Sequence, residues 1–170
     1  QSEIKQELEQ LIEDMDMGDK AKVTQDPRGV ALELDGDVCF GSGTVILMDE
    51  LKETLNNATI QLMSNPDDLR SILIEGHTDN QLPQGDIANR YPTNWELSSA
   101  RAANVVNYLI YKGVMPGRLT ASGYADQWPA EISYADRRSG NINDEIIKKF
   151  NSTTELKSKN RRIKIIYARQ

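Results

Sequence analysis

The fold of this chain is decided by residues 71–113, which read SILIEGHTDNQLPQGDIANRYPTNWELSSARAANVVNYLIYKG. A largely apolar run at residues 71–74 predicts a short strand that is covered on both faces of a sheet. Residues 80–92 are rich in Gly, Pro and Asn and predict a surface loop. Thr93 and Glu96 then fit a capping box at the start of an amphipathic helix. The stretch therefore predicts a strand, a loop and a helix in succession.

The residues upstream predict a helix followed by a β-hairpin. Apolar side chains in residues 3–17 recur at the spacing of one helix face, and Gly18 fits the end of that helix. Strand-like segments at residues 21–25 and 30–34 flank the tetrapeptide Asp-Pro-Arg-Gly, which has turn chemistry. Residues 38–40 are expected to extend the second strand of this hairpin.

The remaining elements indicate the fold class. Periodicity and apolar runs predict a helix at residues 48–62, a strand at 119–124, a short helix at 146–150 and a final strand at 163–167. Helices that alternate with strands after an opening hairpin are typical of an α+β fold. We therefore expect a two-layer α/β sandwich, with helices packed on one face of a mixed sheet.

Composition and charge exclude several classes of protein. The 170 residues are 38% hydrophobic and 27% charged, which is typical of a globular protein and not of a disordered chain. The net charge of −6 argues against nucleic acid as a partner, because nucleic-acid binding usually requires a basic patch. Cys39 is the only cysteine, so disulfides within the chain are excluded. No apolar run approaches the roughly 20 residues that cross a bilayer. Because the chain begins with Gln1, we expect it to be a piece of a longer protein.

Polar residues mark a first candidate site at the end of the strand at residues 71–74. Thr78 and Asp79 follow this strand closely, where loop residues on a rigid scaffold often bind ligands. An alternative is that Asp79 only folds the turn through its own backbone, and taken alone the pair favours that structural role.

The predicted helix that starts at Thr93 carries a second group of polar residues. Asn94 and Arg101 are seven residues apart, so they share one face across two helical turns, with Ser98 between them and Leu97 beside it. A polar stripe is usually solvated surface. That interpretation is weaker for Arg101, because its alanine neighbours do not shield a guanidinium group.

Two further features admit opposing interpretations. Arg161 and Arg162 precede the final strand, either as charges that protect an edge strand or as an arginine beside the same loop edge. His77 invites a metal site with Glu75 and Asp79, since alternate residues of a strand share a face. A catalytic zinc site normally takes three protein ligands, with more than the single histidine present here. We therefore expect no metal and no cofactor.

Four motifs in this order resemble the OmpA-like domain family. They are Gly76-His77-Thr78-Asp79, the stretch from Asn94 to Ala102, Gly123-Tyr124-Ala125-Asp126, and Asn160-Arg161-Arg162. Residues 91–102 and 123–126 are most similar to the MotB-type flagellar stator branch of this family. Residues 40–43, ahead of a helix, are similar to the family's opening strand. The resemblance covers residues 21–168, and four ordered motifs are more specific than any one alone.

The resemblance implies binding of the peptidoglycan stem peptide, notably its diaminopimelate residue, and no catalysis. Asp79 is expected to receive the ammonium group of this ligand, and Arg101 offers a planar fork that suits its carboxylate. The full set of implied site residues is Thr78, Asp79, Asn94, Leu97, Arg101 and Arg161.

The same resemblance implies a place in the cell envelope. Residues 1–20 are expected to lead from a membrane segment to the binding domain of residues 21–170, which carries an insertion at about residues 129–159. The implied partners are peptidoglycan, a second copy of the chain, a MotA-type stator channel subunit and a flagellar basal-body ring protein. The implied location is the periplasm, in a protein anchored in the inner membrane. The alternatives are an outer-membrane wall tether of the Pal or OmpA type, and a metal-dependent wall hydrolase that uses His77.

Overall fold

The computed structural model describes residues 2–61 and 63–169, so Leu62, a predicted member of the second helix, lies outside the described residues. The elements in chain order are α1 (Ser2–Asp14), β1 (Ala21–Asp26), β2 (Gly29–Asp35), α2 (Gly36–Cys39), α3 (Asp49–Leu55), β3 (Ile72–His77), α4 (Ile87–Arg90), α5 (Asn94–Tyr111), β4 (Leu119–Gly123), α6 (Tyr134–Arg138), α7 (Asp144–Lys149), α8 (Thr154–Asn160) and β5 (Arg162–Ala168). A π-helical turn, Asn56–Ile60, continues α3. The predicted α+β fold is confirmed.

The five strands form one mixed sheet in the order β1-β2-β5-β3-β4. β1 and β2 are the predicted hairpin, in which Asp26 lies opposite Gly29. β5 pairs antiparallel with both β2 and β3, whereas β3 and β4 are parallel. Helix α5 connects the two parallel strands, because such a pair needs a long crossover. The ends of β3 and β4 and the start of α5 therefore come together at one end of the sheet.

Helices α1, α3 and α5 cover one face of the sheet and form the apolar core. Alternate strand residues point to this face, since side chains along a strand alternate between its two sides. The core residues contributed by these elements include Leu8, Leu32, Leu51, Leu55, Ile72, Ile74, Leu109, Ile165 and Tyr167. The Tyr167 hydroxyl lies 3.0 Å from the Thr59 hydroxyl, which satisfies both groups inside the core.

The other face of the sheet carries a group of charged and polar side chains, here called the sealed cluster: Asp26, Arg28, Glu75, His77 and Lys164. The Lys164 ammonium donates to the Asp26 carboxylate at 2.9 Å, and Arg28 Nε donates to the same carboxylate at 2.9 Å. Arg28 also pairs with Glu75, and Glu75 Oε1 lies 3.1 Å from His77 Nε2. Each charged group of the cluster thus has an oppositely charged neighbour.

Aromatic residues close this cluster from outside. The rings of His77 and Tyr124 stack with their centroids 5.1 Å apart. Trp128 presents its ring to Lys164 Nζ at 5.3 Å, and Arg28 lies 4.9 Å from the ring centroid of Tyr134. Such cation–π contacts stabilise charges that have lost part of their water. The region 129–159 therefore helps to cover the second face of the sheet, through α6.

Three local predictions were wrong, and one of two open alternatives is excluded. Residues 38–40 do not extend β2, because the Asp35 carboxylate accepts from Asp37 N–H and starts the short helix α2. Helix α1 ends at Asp14 and the chain reverses at Asp16, which has φ of 54°, ahead of the predicted stop at Gly18. The region 129–159 contains three short helices where one was predicted. Strand β5 is central and not an edge, so its arginines do not protect an edge strand.

Candidate ligand-binding site

A cavity of about 610 Å³ opens where β3 ends, α5 begins and β5 begins. Its lining contains all six residues that the sequence singled out: Thr78, Asp79, Asn94, Leu97, Arg101 and Arg161. They come from three separate parts of the chain and converge because β4 ends, and the antiparallel β5 begins, at the edge where β3 ends. Ligand pockets of drug-sized molecules commonly have volumes of about 300–1,000 Å³.

Two glycines bring α5 close to the sheet at this edge. A Cβ on Gly76 would lie 2.3 Å from the Ser98 carbonyl oxygen, and a Cβ on Gly123 would lie 2.5 Å from the Ser99 nitrogen. No other residue fits there without displacing the helix. Ser98 Oγ also accepts from Ala125 N–H at 3.0 Å. The first turns of α5 are thereby fixed against the strand ends.

Asp79 is buried at the end of β3 and its two carboxylate oxygens have different partners. Oδ1 accepts from Gln81 N–H at 3.0 Å, which folds the turn as the alternative interpretation predicted. Oδ2 accepts from Arg161 Nη1 at 2.7 Å. Thr78 supports the turn, since its hydroxyl donates to the Asp79 carbonyl at 2.8 Å. Asp79 therefore has a structural role and an oxygen in an ion pair at the cavity.

Asn94 connects the start of α5 to the turn after β3. Its Nδ2 donates to the Gln81 carbonyl at 3.0 Å and to the Asp79 carbonyl at 3.3 Å. The predicted capping residue Thr93 accepts from Trp95 N–H at 3.2 Å and also bonds the Glu96 carboxylate. Capping of this kind satisfies donors that the first helical turn would otherwise leave unpaired.

Arg101 lies two turns further along the same face of α5 and is half-buried. Its Nε and Nη2 both donate to the Thr44 carbonyl, at 3.1 and 2.8 Å, and its guanidinium lies 5.1 Å from the Phe40 ring centroid. Burial lowers the pKa of Arg101 from its ordinary value, although nearby Asp79 opposes this. Arginine stays charged throughout the physiological range. Among the described residues Nη1 has no acceptor, so one edge of the fork remains available.

Arg161 completes the polar lining just before β5. Besides its bond to Asp79, its Nε lies 3.8 Å from the Asp37 carboxylate at the cavity mouth. Its carbonyl accepts from Gly36 N–H at 2.8 Å, which joins α2 to the start of β5. Leu97 lines the cavity as a buried apolar side chain of α5. With Arg162, the lining therefore contains two carboxylates and three arginines.

Sequence reasoning missed part of the lining. The cavity is also bounded by residues 36–43 and by residues 81–87, together with Met48. Residues 40–43 resemble the family's opening strand but were not predicted to line the site, and neither was Asp37. The useful signal was the polar loop at 80–92, because a loop that follows a site residue directly is bound to border the site.

The alternative of a metal site finds no support in the geometry. The three proposed ligands do not converge on one point: Glu75 and His77 are hydrogen-bonded to each other inside the sealed cluster, whereas Asp79 is hydrogen-bonded to Arg161. Burial lowers the pKa of His77 to about 3, with Arg162 adding to the effect. Within residues 2–61 and 63–169, no group of three or more acidic, histidine or cysteine side chains is arranged to hold a metal ion. In the same ranges, no helix is long and apolar enough to cross a membrane.

The fold and the cavity define an α+β domain with a zwitterionic pocket at the sheet edge. The profile of the OmpA family matches residues 39–142, which is more than half of the chain. The chain belongs to the OmpA family. The resemblance that the four motifs predicted is thereby confirmed at the level of the family.

Individual relatives agree with this assignment. The uncharacterized protein YtxE of Bacillus subtilis is 34% identical over 86% of this chain and 52% of its own length. Motility protein B of Bacillus subtilis is 25% identical over 96% of this chain and 54% of its own length. The chain thus spans about half the length of these two relatives.

Solved structures share the fold over nearly the whole chain. A MotB-like protein from Desulfovibrio vulgaris superposes with a TM-score of 0.76 at 24% identity, covering 99% of this chain and 94% of that one. The cell wall anchor of the T6SS from Pseudomonas aeruginosa superposes with a TM-score of 0.71 at 26% identity, covering 95% and 97%.

Proposed function

We propose that this domain binds the stem peptide of peptidoglycan, through the zwitterionic end of its diaminopimelate residue, and does no chemistry on it. The observation that carries the proposal is the presence of the Asp79 carboxylate and the Arg101 guanidinium in the lining of one cavity. A ligand that carries an ammonium and a carboxylate matches this arrangement. The coarser statement, that the domain anchors a protein to the cell wall, has support from the cell wall anchor that shares its fold.

Each proposed contact uses an atom that still has a free lone pair or a free hydrogen-bond donor. The Asp79 carboxylate accepts one bond at each oxygen, so a lone pair at each is left for an ammonium group. The free Nη1 edge of Arg101 suits a carboxylate, because arginine donors lie in a rigid plane. Thr78 and Asn94 hold the turn and the start of α5 in place, Arg161 holds Asp79, and Leu97 adds apolar surface to the lining.

Affinity at one such site is expected to be modest. Hydrogen bonds to charged groups contribute about 1.5–3 kcal/mol each, which corresponds to micromolar to millimolar binding for a few contacts. A firm anchor then requires several linked sites on a polymeric wall, and a dimeric protein supplies them. We therefore infer that the full-length protein is a dimer.

The particular anchor we propose is that of a flagellar stator subunit. Similarity to motility protein B over 96% of the chain supports this choice. The proposal includes a membrane segment ahead of residues 1–20, a MotA-type channel partner, contact with a basal-body ring and a periplasmic location for this domain. Outer membrane protein A of Serratia odorifera is 34% identical over 62% of this chain, which keeps an outer-membrane tether as the second candidate. The sequence ahead of this domain in the full-length protein distinguishes the stator anchor from the outer-membrane tether.

Co-sedimentation with purified peptidoglycan sacculi tests the binding proposal. The wild-type domain is expected in the pellet, whereas Asp79→Ala and Arg101→Leu are expected in the supernatant. Asp67→Ala and Arg138→Leu are matched controls, because both residues are exposed and lie outside the cavity lining. Pelleting of both cavity variants at the wild-type level would rule out the site. Release of soluble wall fragments that stops on chelation would support the hydrolase alternative.

A further inference from the structure

The polar contacts proposed above use only one side of the cavity. Asp79 and Arg101 lie beside the ends of β3 and the first turns of α5. Another wall is formed by the loop after Asn80, from which Leu82, Pro83 and Ile87 contribute apolar side chains. Phe40 and Met48 contribute apolar surface from other elements. The cavity therefore combines a charged end with an apolar wall.

The loop that carries this wall is held in place by a hydrogen bond to α5, a proline and a glycine turn. Gln81 is tied to α5 through Asn94, at 3.0 Å, so Leu82 follows immediately after an anchored residue. Pro83 restricts the residue before it to extended backbone. Gly85 then turns the chain with φ of 74°, and helix α4 begins at Ile87. The wall is thus built into the fold beside Asp79.

Leu82 stands out within this wall because it lines the cavity and yet 64% of its surface is exposed. An isolated exposed leucine needs no explanation. Leu82 is different because it adjoins apolar neighbours on the rim of a polar site. An apolar group of a bound ligand that covered Leu82 would be removed from water, and so would Leu82 itself.

We propose that Leu82 is a specificity-determining residue, which contacts the small apolar residue that follows the charged residue of the ligand. This inference rests on the proposed function and names the next portion of the same ligand. In a wall stem peptide that portion is the D-alanine after diaminopimelate. Its methyl group is the size of one buried carbon, so the preference is about fourfold in affinity.

The test compares two tetrapeptides by titration calorimetry, which differ only in one methyl group: one carries D-alanine after diaminopimelate and the other carries glycine there. The wild-type domain is expected to bind the D-alanine peptide about fourfold more tightly. Leu82→Ser is expected to bind both peptides with equal affinity. Leu69→Ser is the matched control, because Leu69 is 66% exposed and lies outside the cavity lining. It is expected to keep the fourfold preference.

Each other outcome overturns a distinct claim. If Leu82→Ser keeps the wild-type preference, or if the wild type has none, the apolar contact at Leu82 is wrong while stem-peptide binding stands. If Leu82→Ser weakens both peptides equally, Leu82 only supports the loop and does not discriminate. If the wild-type domain binds neither peptide, the proposed function itself fails.

Discussion

The sealed cluster and the cavity lining are both built from ion pairs near the same strands, but they differ in what surrounds them. The Asp26–Lys164 pair at 2.9 Å lies beneath Trp128, and its side chains are 2% and 11% exposed. The Asp79–Arg161 pair at 2.7 Å borders an open cavity, and its side chains are 7% and 33% exposed. One pair is closed to ligands and the other is accessible.

The difference indicates what distinguishes a structural charge in this fold from a charge that we propose to bind a ligand. Within the sealed cluster, hydrogen bonds from Arg28 and Lys164 outweigh the burial that would raise the pKa of Asp26, and they hold this pKa below its ordinary value. In the cavity, Arg101 keeps an unused donor edge and Asp79 keeps free lone pairs. A charged group can bind a ligand when it has unused hydrogen-bond donors or lone pairs and water can reach it.

The largest expected effect is on stability, from neutralising the sealed pair. Asp26→Asn leaves Lys164 buried with no negative partner at that position, and such a loss typically costs about 3–5 kcal/mol. We expect the free energy of unfolding in urea to fall by about this amount, while sacculus binding at low temperature persists. A decrease below about 1 kcal/mol would mean that the cluster is solvated and not sealed.

The second effect is a loss of stability in mild acid that depends on His77. The unfolded chain takes up a proton at this residue below about pH 6.5, but the folded chain does so only near pH 3. The free energy of unfolding therefore decreases as the pH falls through this window, by about 1.4 kcal/mol per pH unit. His77 is the only histidine, so His77→Gln is expected to remove most of the decrease between pH 6.5 and 5. An unchanged slope in this variant would show that His77 is protonated in the fold.

The smallest expected effect on stability comes from replacing the cavity aspartate, Asp79, by asparagine. Asp79→Asn leaves Arg161, one third exposed, with water and the Asp37 carboxylate at 3.8 Å as partners, so the expected cost is about 0–1 kcal/mol. The amide oxygen of asparagine still accepts from Gln81 N–H. We expect a decrease of less than about 1 kcal/mol in urea unfolding together with loss of sacculus binding. Equal destabilisation by Asp26→Asn and Asp79→Asn would erase the distinction between the two regions.

Much of the fold was predictable because the signals are local. The capping box at Thr93, the hairpin turn at residues 26–29 and the apolar runs of β3 and β5 each depend on a few neighbouring residues. The convergence of the six site residues was also predictable in outline. Thr78 and Asp79 follow a strand, and Asn94 starts the next helix, so both groups lie at one edge of the sheet.

The other features of the fold could not be predicted, because they depend on contacts between distant parts of the chain. Asp26, Glu75 and Lys164 are brought together only by the strand order, in which β5 lies between β2 and β3. The cover that Trp128 and Tyr134 provide depends on the packing of short helices that have weak periodicity. Helix α2 depended on a single side-chain cap at Asp35, which outweighed the apolar run at residues 38–40.

The central claim is that the open cavity binds the charged end of the wall peptide and the sealed cluster does not. Titration of the ¹⁵N-labelled domain with diaminopimelate, followed by backbone amide shifts, tests this most directly. We predict saturable shifts at Thr78, Asp79, Asn94 and Arg101, with no comparable shifts at Asp26 or Trp128. The absence of shifts at millimolar ligand, or shifts centred on Asp26 and Trp128, would contradict the account.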